Sequence, residues 1–198
     1  MTKSQPYTQA DLAKLGNVLI YLVDRLGPIS KTKALKLIYL VQEVSVKTYG
    51  LPFFNMPFLV WRLGPVAEDV FVDLSAEEPV LLANYIQRQE EDCKTFIHAS
   101  QPFSDDEFSD NEMEILALVA KTYGSLSAER LVEVIHRPHS LWYQTARENG
   151  VLDYLEQGRM TTTNFEIDFG RLLDDMPERK RMYTGQLDYL EQSRALKV

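Results

Sequence analysis

The sequence has one cysteine, Cys93, so no internal disulfide can form, and no Cys/His spacing suits a structural zinc. That thiol reads as a small packed or partly exposed side chain in a reducing compartment. Histidine is almost as scarce, with only His98, His136 and His139. No two glycines form a G-x-G, and neither a dinucleotide fingerprint nor a P-loop is present. H-E-x-x-H and G-x-S-x-G are also missing. The longest stretch without a charged side chain, Thr48 to Trp61, contains Gly50, Pro52 and Pro57 and falls short of the roughly 20 apolar residues of a membrane helix. The first residues, Met-Thr-Lys-Ser-Gln-Pro, carry no apolar core of a signal peptide, so the expectation is a cytoplasmic chain away from any membrane.

Basic charge is the remaining shortage. Lys and Arg number 21 against 29 Asp and Glu, a formal net charge of −8. Residues 77–114 alone hold 11 acids and 2 bases, while the flanking segments nearly balance. An acidic surface repels phosphate backbones, which argues against nucleic acid as a partner. The segment reads as a solvated connector, or else as a docking face for a basic protein.

What is present suits a folded domain. With 198 residues, 45% of them apolar, the chain can bury a proper core. Thr8 is a good helix N-cap, and Leu12, Leu15, Leu19, Leu22 and Leu26 recur at helical steps until Gly27-Pro28. A second helix spans about Lys31 to Thr48, closed by Gly50. Its centre is apolar on nearly every side, so other elements must surround it. Lys31, Lys33 and Lys36 read as its solvated edge. Residues 51–61 suit a short strand pair, because two prolines forbid a regular helix. Leu63-Gly64-Pro65-Val66 then turns the chain, with Pro65 placed to open a helix in which Glu68 and Asp69 face the positive end.

Residues 77–108 predict a helix over Val80–Gln89 and an extended piece at Thr95–Ala99. Ser109 with Glu112 makes a capping box, and Ser127 and Ser140 cap two further helices. Phe165, Ile167 and Phe169 alternate like a strand, and Pro177 opens a terminal helix carrying Met182, Tyr183, Leu187 and Leu190. The expected fold is mainly α (α+β): a single compact helical domain with a small hairpin-like strand element between the second and third helices. Residues 1–158 form that domain, and residues 159–198 form a helical extension packed on it.

The chemistry is thin. Glu133-x-x-His136 has the spacing of a di-iron helix motif, but no second Glu-x-x-His exists, and Pro138 separates His136 from His139. No metal and no cofactor is expected. Adjacent acids such as Asp105-Asp106 and Asp174-Asp175 point to different faces of a helix and make no acid–base pair. Composition and spacing end at a helical domain that is not an enzyme.

Ordered landmarks carry the reading further. Leu35-Lys36-Leu37-Ile38-Tyr39-Leu40 is followed by Tyr49-Gly50, then by Val60-Trp61-Arg62-Leu63-Gly64-Pro65-Val66. Later come Lys121-Thr122-Tyr123-Gly124, Leu126-Ser127-Ala128-Glu129 and His136-x-x-His139-x-x-Trp142. Together, over roughly residues 12–148, these resemble the Panacea domain, the antitoxin domain also found in SocA-type proteolytic adaptors and in phage-associated proteins. Two positions depart from that pattern: Leu63 stands where an aromatic is usual, and Leu141 where proline commonly precedes the tryptophan.

The resemblance implies a binding role, in which the chain sequesters a cognate toxin, usually encoded next to it, by direct protein contact. The residues it points to for partner binding are Trp61, Gly64, Pro65, Val66, His136, His139 and Trp142. Two other readings stay open. One is a proteolytic adaptor that hands a partner to a protease. The other is a small enzyme using His136, which would need a Glu or Asp beside that imidazole.

Overall fold

The computed structural model describes residues 7–195. Helix α1 (Gln9–Leu26) starts on a capping box, in which Thr8 Oγ1 accepts the Asp11 amide and the Asp11 carboxylate accepts the Thr8 amide. Strand β1 (Ile29–Ser30) leads directly into α2 (Lys31–Tyr49), whose N-cap is Ser30 and whose end is Gly50 in the left-handed conformation. Helix α2 is central, as its all-round apolar surface demands. Ala34, Leu37, Ile38, Tyr39 and Val41 are buried at 1% exposure or less, and the helix packs against α1 and against most of the elements that follow it.

Residues 51–58 are irregular rather than stranded, which corrects the expected position of the strand pair. The amides of Phe53 and Phe54 both donate to the buried Gln42 Oε1, at 2.9 and 2.8 Å, so a side chain satisfies them in place of a ladder. The hairpin lies later, in β2 (Leu59–Trp61) and β3 (Gly64–Val66), paired Val60 to Pro65 and Trp61 to Gly64. Pro65 therefore sits in a strand and does not open the next helix. Helix α3 (Glu68–Ser75) begins after Ala67, with Glu68 and Asp69 in its first turn.

The helix expected over Val80–Gln89 is absent. Buried Asp73 accepts the amides of Val80, Leu81 and Leu82, which ties this stretch into a loop. The chain then forms β4 (Ile86–Glu91) and β5 (Lys94–Ala99), the extended piece at Thr95–Ala99 being the second strand of an antiparallel sheet ordered β1-β5-β4. Helices α4 (Asp110–Tyr123), α5 (Ala128–Ile135), α6 (Leu141–Glu148) and α7 (Leu152–Glu156) follow, with Ser109, Ser127 and Ser140 as N-caps of the first three.

After α7 the chain returns along the outer edge of β2. Val60 N donates to Phe165 O, Ile167 N to Phe58 O and Thr163 Oγ1 to Val60 O. The pairing is an isolated bridge, Leu59 with Glu166, and Phe169 already belongs to a 3-10 turn, Phe169–Leu173, so the expected strand is only this contact. Ile167, Phe169 and Leu173 nevertheless enter the main core. Helix α8 (Pro177–Ala195) buries Tyr183 but leaves Met182 and Leu187 exposed. No helix among the described residues is long and apolar enough to cross a membrane.

Candidate functional site

The hairpin β2–β3, the second turn of α2 and the end of α5 meet at Lys36, and the start of α6 packs on His136 and the hairpin beside them. Far from lying on a solvated edge, Lys36 is 1% exposed. Its Nζ donates to Pro65 O at 2.9 Å, and burial lowers its pKa to about 7. Gly64, at φ 98°, supplies both the backbone shape and the space. A Cβ there would stand 3.3 Å from Lys36 Cε and 3.5 Å from Ile135 Cγ2.

Trp142, wholly buried at the start of α6, donates from Nε1 to Trp61 O at 2.8 Å. This bond ties α6 to the end of β2. The opposite face of the joint is closed by His136, the C-cap of α5, whose imidazole stacks on the Trp142 indole. His136 Nε2 is buried without a hydrogen-bond partner, and its pKa falls to about 4, first through burial and then through the Lys36 charge. The charge that shifts it is thus a cation, where the sequence reading asked for a Glu or Asp beside the imidazole. Four cavities are lined by other parts of the chain, and His136 lines none of them. Among the described residues no group of three His, Cys, Asp or Glu could hold a metal.

The seven residues singled out from the sequence are thus only partly assembled. Trp61, Gly64, Pro65, His136 and Trp142 meet at one joint. Val66 is buried, at 4% exposure, whereas His139 is exposed. Gly64, Pro65, Val66 and Trp142 are all buried, so they shape the surface from beneath. Trp61 is half-buried with its ring edge-on to Phe71, centroids 4.9 Å apart. What stands outside is the hairpin tip, Arg62 and Leu63, the latter 53% exposed.

Sequence reasoning missed Lys36 as the hub. The signal was available: a lysine between Leu35 and Leu37, in a helix apolar on nearly every side, has no solvated edge to occupy.

The family model described as antitoxin SocA-like, Panacea domain, matches residues 35–143, more than half of the chain. The chain belongs to the SocA-like Panacea-domain family. The matched span holds every member of the joint, from Lys36 to Trp142. No match was found among the curated proteins or among the solved structures.

Proposed function

We propose that the chain is an antitoxin that neutralises a cognate toxin by direct protein–protein binding, acts without catalysis and works in the cytoplasm. The observation that carries this reading is the family match over residues 35–143. The joint supports it in physical terms. Buried Lys36 and Trp142, with the half-buried His136 stacked on the latter, hold the β2–β3 tip and the α5–α6 corner at fixed positions, as a rigid docking surface requires.

The test is to express the adjacent open reading frame alone, with the wild-type chain, and with His136→Ala. Toxicity relieved by both the wild type and a folded His136→Ala variant is the expected result. Rescue lost in a variant that remains folded and still binds would point to chemistry at His136 and end the sequestration mechanism. A second reading, delivery of a partner to a protease, needs a second docking face. The exposed Met182, Leu187 and Tyr189 of α8 favour it. That reading predicts that the partner's lifetime in cells falls when the chain is present.

A further inference from the structure

We propose that the groove between the end of β1 and α5 receives an extended acidic segment of a protein partner, added to the open edge of β5. This rests on the partner-binding reading above and names the chemistry of what is bound. The groove, about 790 Å³, runs between the turn from β1 into α2, the start of β5, the α5 wall and Leu63 at the hairpin tip.

The first observation is an uncovered strand edge. β1 pairs with β5 for two residues only, Ile29 with Ile97 and Ser30 with Phe96, and then the chain turns away into α2. β5 runs on through Thr95 and Lys94, which are paired on the other side with Glu90 and Glu91 of β4. Lys94, Thr95 and Phe96 line the groove, so an incoming extended chain can continue the place that β1 vacates.

The second observation is charge. Lys31, Lys33 and Lys94 line the groove in a chain of net charge −8. Lys31 Nζ donates to Ser75 Oγ at 2.9 Å and lies over the Phe71 ring, and Lys33 Nζ donates to Gly124 O at 2.6 Å. Both are answered by neutral groups, and among the described residues neither belongs to an ion pair. Burial holds both below the ordinary lysine range, and for Lys31 the Arg88 charge adds to that while Glu90 opposes it. The first turn of α2 carries no acid, so the positive end of that helix is not offset by a side chain.

The wall does hold two carboxylates, Glu129 and Glu133, but both are already answered. Glu129 is held below its usual range chiefly by its own backbone amide and by Ser127, with Lys94 adding a smaller pull, and Glu133 pairs with Arg130. Lys94 is offset in part by Glu129, and Glu133 is taken by Arg130, so the charge left without a counter-ion at the groove is that of Lys31 and Lys33, which favours an anionic guest. Leu63, Phe96 and Val132 give its alternate side chains apolar seats. An open strand edge beside apolar seats selects a peptide over a nucleic acid.

The test uses a fluorescein-labelled peptide of alternating Asp and Val, four of each, titrated by anisotropy into the full chain. Comparison probes are the Lys–Val counterpart, the Asp–Val peptide with alternate amides N-methylated, and a single-stranded oligothymidylate. The expected result is binding of the Asp–Val peptide alone, weakened at least about tenfold by Lys94→Glu or Lys33→Glu and falling as salt rises. Thermal melts confirm that these variants stay folded. No binding, equal binding of the Lys–Val peptide, retained binding after N-methylation, or binding of the oligothymidylate in its place would each overturn the proposal. So would Lys94→Glu binding that disappears only because a homodimer comes apart. Since the titration contains no toxin, its failure is separate from that of the antitoxin reading. Rescue retained by both charge reversals would count against the groove alone, and absence of rescue by the wild type against the antitoxin reading alone.

Discussion

The imidazole of His136 lies flat on the indole of Trp142, with ring centroids 3.7 Å apart and planes 2° from parallel. The two residues contribute unequally, because Trp142 also fills a fully buried space and donates to Trp61 O. Trp142→Ala should destabilise by about 3–5 kcal/mol. Trp142→Phe keeps one aromatic ring but leaves part of the indole's space empty and the Trp61 carbonyl without this donor, at about 1–3 kcal/mol. His136→Ala removes only the stacked ring, for about 0.5–1.5 kcal/mol. Urea unfolding of the three variants checks the order, and a His136→Ala loss as large as that of Trp142→Ala would contradict it.

Gly64 at φ 98° faces Lys36 Cε across the distance a side chain would occupy. Gly64→Val is expected to cost on the order of 1–3 kcal/mol through backbone strain and crowding of the lysine. An unchanged melting temperature would show that the hairpin tolerates a branched side chain there and that the turn is misread.

Lys36 gives the stability a pH dependence of known sign. Its pKa is about 7 in the folded protein and near 10.5 when the chain is unfolded. Between those values the unfolded chain binds the extra proton, so stability rises with pH and is lowest below about 7. The slope from one such group is at most about 1.4 kcal/mol per pH unit. His136 acts in the same direction lower down, stability falling as pH drops from 6.5 towards about 4. Urea midpoints measured from pH 7 to 9 should climb for the wild type and stay nearly flat for Lys36→Met. Parallel climbs would mean that the ammonium is not buried.

Asp73 fixes the loop that replaces the expected helix. Its carboxylate takes three consecutive amides, Val80 and Leu81 at Oδ1 and Leu82 at Oδ2, within 3.1 Å. Asp73→Ala should cost about 2–4 kcal/mol, since charge-assisted bonds are lost and donors are left unpaired. Hydrogen exchange should quicken at residues 80–82 first. Unchanged exchange there would show that the loop holds itself.

The parts legible in the sequence were those written in local rules. Ser109 and Glu112 announce the start of α4, and the apolar run around Leu37 announces a central α2, because caps and helical periodicity act over four residues. The β4–β5 hairpin was illegible for equally local reasons. Only Ile86 of β4 is apolar, so Gln87 to Glu91 show no apolar–polar alternation, although Arg88 turns to the less exposed face. The turn residues, Asp92 and Cys93, take φ of 48° and 62°, a conformation usually signalled by Asn-Gly. Within the joint, Trp61, Gly64, Pro65, His136 and Trp142 could be named from motif order. That they form one joint beside Lys36 depends on contacts between elements up to about a hundred residues apart, which no local pattern encodes.

The bonds that run from residues 163–167 onto Phe58 and Val60 set the order in which the molecule can be completed. During synthesis β2 has its partner β3 at once, but its other edge stays bare until residues 163–167 emerge, about a hundred residues later. A nascent chain carrying every landmark from Lys36 to Trp142 would still lack Ile167, Phe169 and Leu173 from its core and would present an open strand to its neighbours. The hairpin that bears the motif is therefore completed only after α1 to α7 have formed, and a cut after residue 158 should yield a self-associating fragment in place of a smaller working domain.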